Sequence, residues 1–244
     1  ILSNLILSKV RDRRVLYLNA KQLQSSSRFL LWLNRRDLHH WESERQMATA
    51  TATIKFLQQP TTTAWVDQAL ANLDTILLDH SHCERKAAGV ALNLMFRYPS
   101  NTKLVRSLTT IAQEELEHFE QVNQILERRG IPLGPLAAPP YGAGLRAQIR
   151  PQEPHRLLDS LLVSGLIEAR SHERLGLLGA HCPEPELAAF YRGLMASEAR
   201  HYGIYWVLAT TYCDRDSVNR RLEELSLIES ELLATLHPEP RIHS

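Results

Sequence analysis

Two Glu-x-x-His motifs, each preceded by a lone Glu at the distance of one helix hairpin, constrain this chain more than any other feature. Glu115-Leu116-Glu117-His118 is the first motif and Glu198-Ala199-Arg200-His201 the second. Glu84 lies 31 residues before Glu115, and Glu168 lies 30 residues before Glu198. The two halves are offset by 84 residues at the lone Glu and by 83 at the motif. Residues three apart share one face of an α-helix, so each motif aims a carboxylate and an imidazole at one point. One such motif alone is ambiguous, because Glu and His are common on exposed helix surfaces. The complete series places one element on each of four helices and converges four carboxylates and two imidazoles on one interior point.

The neighbours of these residues are apolar at helical spacing. Leu108 and Ile111 precede Glu115 by seven and four residues, Leu161 precedes Glu168 by seven, Leu194 precedes Glu198 by four, and Ile204 follows His201 by three. A solvated stripe does not look like that. Four carboxylates buried on such faces need cations, since each unpaired buried charge costs several kcal/mol. Two ferrous ions carry the four positive charges that four carboxylates neutralise, and each imidazole serves one metal. The pattern is that of a ferritin-like four-helix bundle with a di-iron centre, and the candidate ligands are Glu84, Glu115, His118, Glu168, Glu198 and His201. His172 lies four residues after Glu168 and is read either as a seventh ligand or as an outer or surface histidine. His80, on the Glu84 face, and His82, on another, are left as packing or surface residues. Gly165, Ser197 and Ala199 either leave room for oxygen or substrate or serve close helix packing.

Five long helices are expected, over 63–98, 101–129, 154–181, 185–211 and 214–236, with breaks at Pro99, Gly130 and Pro183. No segment alternates with period two, so the fold class is all-α. Residues 130–153, rich in Pro and Gly, occupy the place of the one long crossover that a ferritin-type bundle needs between its second and third helices. The stretch 214–236 adds a C-terminal helix. Arg128, Arg129, Arg146 and Arg150, with Tyr141, bracket the crossover. They fit either phosphate contact and base stacking or a helix cap and a solvated loop. The formal net charge of +1 is uneven: residues 1–46 hold nine of the 28 Lys and Arg but four of the 27 Asp and Glu. Met47 is read as a start, residues 1–46 as an extension and 47–244 as the ferritin-like domain; an N-terminal helix packed on the core is the alternative. Three cysteines without a C-x-x-C pair argue against a disulfide scaffold or a structural zinc, and fit a reducing cytoplasmic compartment. The apolar runs are too short to span a membrane.

Five stretches carry a family resemblance: LLDHSHCERKAA (77–88), EELEHFEQV (114–122), RGIPLGPLAAPPYGAGL (129–145), LIEARSHERL (166–175) and YRGLMASEARHYGIYW (191–206). Together they resemble the tRNA 2-methylthio-N6-isopentenyladenosine hydroxylase family over roughly residues 56–236. The resemblance implies a non-haem di-iron monooxygenase that uses O2 to hydroxylate the isopentenyl group of the modified adenosine next to the anticodon. It implies tRNA as partner, an external reductase as electron donor, and Arg129, Tyr141, Arg146 and Arg150 as candidate substrate contacts. Two other classes stay open on the residues alone: another di-iron oxidase or peroxidase, and an iron-binding bundle without catalysis. A helical interaction module without metal is the third.

Overall fold

The computed structural model describes residues 56–244. Among them all regular structure is helical: α1 (Thr63–Leu70), α2 (Leu73–Arg97), α3 (Thr102–Arg128), α4 (Pro140–Arg146), α5 (His155–His181), α6 (Pro185–Tyr212) and α7 (Arg215–Leu232). The readings made for residues 1–46 lie outside the described residues. α2 with α3 and α5 with α6 are the closely packed pairs, each joined by a short connection that makes its members antiparallel neighbours. α7 lies against α4, α5 and α6. This is the expected four-helix bundle with a long crossover and a C-terminal helix. No described helix is long and apolar enough to cross a membrane.

The helix ends follow local chemistry. Thr62 caps α1 by accepting from the Trp65 amide at 3.3 Å, and Asp214 caps α7 by accepting from Ser217 at 2.9 Å. Pro185 opens α6, where a missing N–H costs nothing. α3 ends on Gly130 at φ +68, with the Gly130 amide bonded to Glu127 O and the Ile131 amide to Leu126 O. That double bond satisfies carbonyls that the helix end would leave orphaned, and the positive φ favours glycine.

Three boundaries differ from expectation. The helix expected over 63–98 breaks at Ala71–Asn72, because the Asn72 side chain donates to Gln68 O at 2.8 Å and takes over bonding that belongs to the backbone ladder. The crossover holds a short helix, α4, which buries Tyr141 and Leu145. α7 stops at Leu232, and residues 241–244 are buried as a strap. Ile242 N donates to Asp79 of α2 at 2.7 Å, Arg241 O accepts from Trp65 Nε1 at 3.0 Å, and Arg174 of α5 donates to Ser244 O at 3.0 Å.

The bundle interior has three zones. One apolar cluster includes Leu94, Leu104, Leu108, Ile111, Leu161 and Leu208. The other includes Ile76, Leu77, Val122, Leu126, Leu178 and Leu187. All four bundle helices contribute to both clusters, and the six candidate ligands lie along the chain between those contributions.

Candidate metal centre

Each bundle helix delivers its part from a buried position. Glu84 stands on α2, Glu115 and His118 on α3, Glu168 on α5, and Glu198 and His201 on α6, all at most 7% exposed. Two groups form. Glu84, Glu115, His118 and Glu198 can each offer one atom within 4.8 Å of the others, and so can Glu115, Glu168, Glu198 and His201. Glu115 and Glu198 belong to both groups. The arrangement is therefore two adjacent positions with two shared carboxylates, and one further carboxylate and one imidazole at each.

The orphaned atoms fit a metal. Glu115 Oε1, His118 Nδ1, Glu198 Oε1 and His201 Nδ1 are buried without a hydrogen-bond partner. His201 Nδ1 lies 2.7 Å from Glu115 Oε1, yet the two are not aligned as donor and acceptor. His118 Nδ1 is 3.6 Å from Glu84, 3.9 Å from Glu115 and 3.7 Å from Glu198. Buried polar atoms that face one another without bonding await an ion between them. The donor set of carboxylate oxygens and imidazole nitrogens with open positions suits iron.

The electrostatics agree. Burial, then the Glu115 charge, pushes Glu168 up to about 8. Burial, then Glu168, raises Glu198 well above the usual carboxylate range, and burial also raises Glu115. Burial works against charge on Glu84 too, but the His80 and His118 rings outweigh it and hold Glu84 low. Burial alone would lower His118, but Glu115 and Glu84 raise it to about 10. In the absence of a cation the cluster keeps protons, and protons occupy the electrostatic role of the metals.

Two spaces adjoin the cluster. An open groove of about 380 Å³ lies between α3 and α6, with Glu114, His118, Phe190, Leu194, Ser197 and Arg200 among its walls. A small, partly enclosed cavity of about 30 Å³ lies on the α2/α5 side, beside Glu84 and Glu168, with Ile242 and His243 of the strap among its walls. That is room for one small molecule. Gly165 serves packing, since a Cβ there would stand 3.3 Å from Tyr205 Cβ on α6. Ser197 serves the groove, its hydroxyl turned to Leu194 O at 2.7 Å. His172 is outside both ligand groups and is bonded through Nδ1 to Met195 O at 2.8 Å.

Several residues beside the cluster were not assigned to it from the sequence. Glu114 binds the outer nitrogen of His201, with Nε2 2.6 Å from Oε2. His80 is buried against Glu84 and stacked on Tyr191, so it touches the cluster. His243 reaches Ser171 at 3.1 Å and stacks on Tyr141 at 5.1 Å. The crossover residues are placed as follows. Tyr141 is 2% exposed and donates to Glu229, so its ring does not face solvent. Arg129 pairs with Asp74 and Glu184, and Arg150 forks onto Asp159 at 2.7 and 2.8 Å. Arg146 is exposed at the end of α4.

The chain matches the family model described as tRNA-(MS[2]IO[6]A)-hydroxylase (MiaE) over residues 48–244. It is similar to a Pseudomonas putida protein named tRNA 2-(methylsulfanyl)-N(6)-isopentenyladenosine(37) hydroxylase, with 45% identity over 78% of this chain and 92% of that protein. A Salmonella typhimurium protein of the same name is 30% identical over 78% of this chain and 88% of its own length. Among solved structures, a Synechococcus protein described as having aldehyde deformylating oxygenase activity is 51% identical, with a TM-score of 0.77 over 78% of this chain and 96% of that one. The motifs, the bundle and these relatives lead to one assignment: the chain belongs to the tRNA-(MS[2]IO[6]A)-hydroxylase (MiaE) family.

Proposed function

We propose that this chain is a non-haem di-iron monooxygenase that hydroxylates the isopentenyl group of 2-methylthio-N6-isopentenyladenosine in tRNA, next to the anticodon. The observation that carries the reading is the buried pair of four-residue groups sharing Glu115 and Glu198, in a chain whose relatives from Pseudomonas putida and Salmonella typhimurium are named as hydroxylases of that nucleoside. Glu84 with His118 would hold one iron and Glu168 with His201 the other, with Glu115 and Glu198 common to both groups. Iron held there would supply the activation of O2. One oxygen atom would be inserted into a prenyl C–H bond to give C–O–H, and the other would leave as water with two protons and two electrons from an external reductase.

The chain's own residues shape that chemistry. Leu194 and Phe190 give the α3/α6 groove an apolar wall for a prenyl group, while Gln121 and Arg200 give it a polar rim for a nucleoside. The apolar clusters on both sides of the ligands keep bulk water from the centre. Of the candidate contacts Arg129, Tyr141, Arg146 and Arg150, Arg146 is exposed at the end of its helix and is assigned a tRNA phosphate contact. Arg129 and Arg150 reach tRNA only by sharing guanidinium groups already held by carboxylates.

The test is a reaction of iron-loaded protein with O2, a reductant and tRNA bearing the prenylated adenosine, followed by mass spectrometry of the nucleosides. A gain of one oxygen, absent in Glu115→Ala, is the expected result. A second reading, oxygen-dependent deformylation of an aldehyde, follows from the activity ascribed to the Synechococcus protein. The cavity of about 30 Å³ beside the cluster gives a long alkyl chain no room, so such a chain would have to lie in the α3/α6 groove. Release of formate from an added fatty aldehyde, with the tRNA left unmodified, would overturn the proposal in favour of that reading.

A further inference from the structure

Resting on the di-iron reading above, we infer that the two metal positions are unequal by construction, with the Glu168/His201 position the tighter and Glu114 the positioning residue that makes it so. Two independent contacts outside the six ligands carry the inference, and both act in the same direction. His201 turns Nδ1 toward the cluster, 2.7 Å from Glu115, and its opposite nitrogen lies 2.6 Å from Glu114 Oε2. Arg200 steadies Glu114 from the other side, 3.2 Å from Oε1. A carboxylate that accepts the outer N–H of a ligating imidazole fixes its tautomer and orientation and raises its basicity. His118 has no counterpart: among the described residues, every carboxylate near its ring belongs to the cluster itself. The second contact is the reverse in sign. His80, buried and stacked on Tyr191, sits against Glu84. A buried ring held against a ligating carboxylate, with neither of its nitrogens engaged elsewhere, competes with a metal for that carboxylate. One position thus gains an anionic partner behind its imidazole, and the other an imidazole behind its carboxylate.

The geometry also separates the two metals by access. His118 is itself a wall of the open α3/α6 groove, whereas His201 is fully buried, with Glu114 between it and the groove. The weaker position is therefore also the one closer to solvent, and its metal leaves first.

The experiment is an anaerobic titration of the metal-free full chain with ferrous ion, read by calorimetry and by Mössbauer spectroscopy of samples at one and two equivalents. Two binding steps are expected, the first equivalent filling one spectroscopically distinct position. His201→Ala should remove the tighter step and His118→Ala the weaker one. Glu114→Gln keeps the shape and a hydrogen bond but removes the charge, and should weaken the tighter step alone by about 10- to 100-fold. Two equal steps in the unaltered chain, or two steps that Glu114→Gln leaves unmoved, overturn the inference while the di-iron reading stands. Failure to bind two ferrous ions per chain overturns both.

Discussion

Replacement of Glu229 by leucine tests the buried clamp that holds α5 to α7. Glu229 is fully buried and accepts from Arg170 twice, at 2.8 Å from Nε and 2.8 Å from Nη2, and from the Tyr141 hydroxyl at 3.2 Å. Arg170 also donates to Glu173 and to Gln59 O. Glu229→Leu leaves two guanidinium donors and a phenol without partners in a dry interior. Breaking a buried pair from one side costs about 3–5 kcal/mol. For a domain of this size each kcal/mol shifts the melting temperature by about 2–4 °C, so the fall is about 6–20 °C. The assay is thermal unfolding followed by circular dichroism on the metal-free protein, which removes the contribution of bound metal. The double variant Arg170→Met with Glu229→Leu removes both charges, and Glu173 keeps its bonds to Thr61 at 2.9 and 2.6 Å. It should recover at least half of the loss, as apolar replacements of buried pairs do. Metal stoichiometry should not change, because Arg170 lies about 200° around the helix from Glu168. A fall below about 3 °C for the single variant, or a double variant no more stable than it, refutes the reasoning.

Other outcomes follow from the same structure. Glu168 and His118 titrate higher in the folded protein than in an unfolded chain, at about 8 and about 10. Their contribution is complete below the unfolded values and is lost as pH rises through the folded ones. Metal-free protein should therefore melt lower at about pH 9 than at about pH 6, and iron should abolish much of that slope, since it displaces the same protons. Ile242→Ala enlarges the cavity beside Glu84 and should cost about 2–5 kcal/mol in thermal unfolding, while more peroxide is released per hydroxylated nucleoside. Arg146→Glu should weaken tRNA binding and make the salt slope shallower by about one unit; an unchanged slope removes Arg146 from the interface.

The buried cluster of four Glu and two His was legible in the sequence because it is written in helical period, and a bundle with two hairpins brings equivalent positions of its halves together. Glu114 was not legible. Beside Glu115 it reads as one more exposed acid, and its partner, His201, is 87 residues away on a helix whose rotation the sequence does not state. Tyr141 read as a loop aromatic, because the Pro-rich crossover conceals a short helix that tucks it under α7. The break at Asn72 had a signal, an Asn placed to bond four residues back, but the apolar periodicity across it was stronger. Residues 237–244 have neither period nor motif. The burial of 241–244 is tied to bonds with Asp79, Trp65 and Arg174, each far away along the chain.

That strap sets an order of events during synthesis. Glu84, Glu115 and His118 leave the ribosome first, and Ile242 follows Glu84 by 158 residues. At about 5–20 residues per second this is roughly 8–32 s in which a growing chain shows half a metal site to the surrounding ion pool. Three such donors on one hairpin are an incomplete set, which selects poorly among divalent ions by geometry. The cavity beside Glu84 and Glu168 gains its last wall only when residues 242 and 243 are seated on α2 and α5. A chain that stops short of residue 242 should therefore hold the six Glu and His residues of the candidate centre with one wall of the adjoining cavity missing.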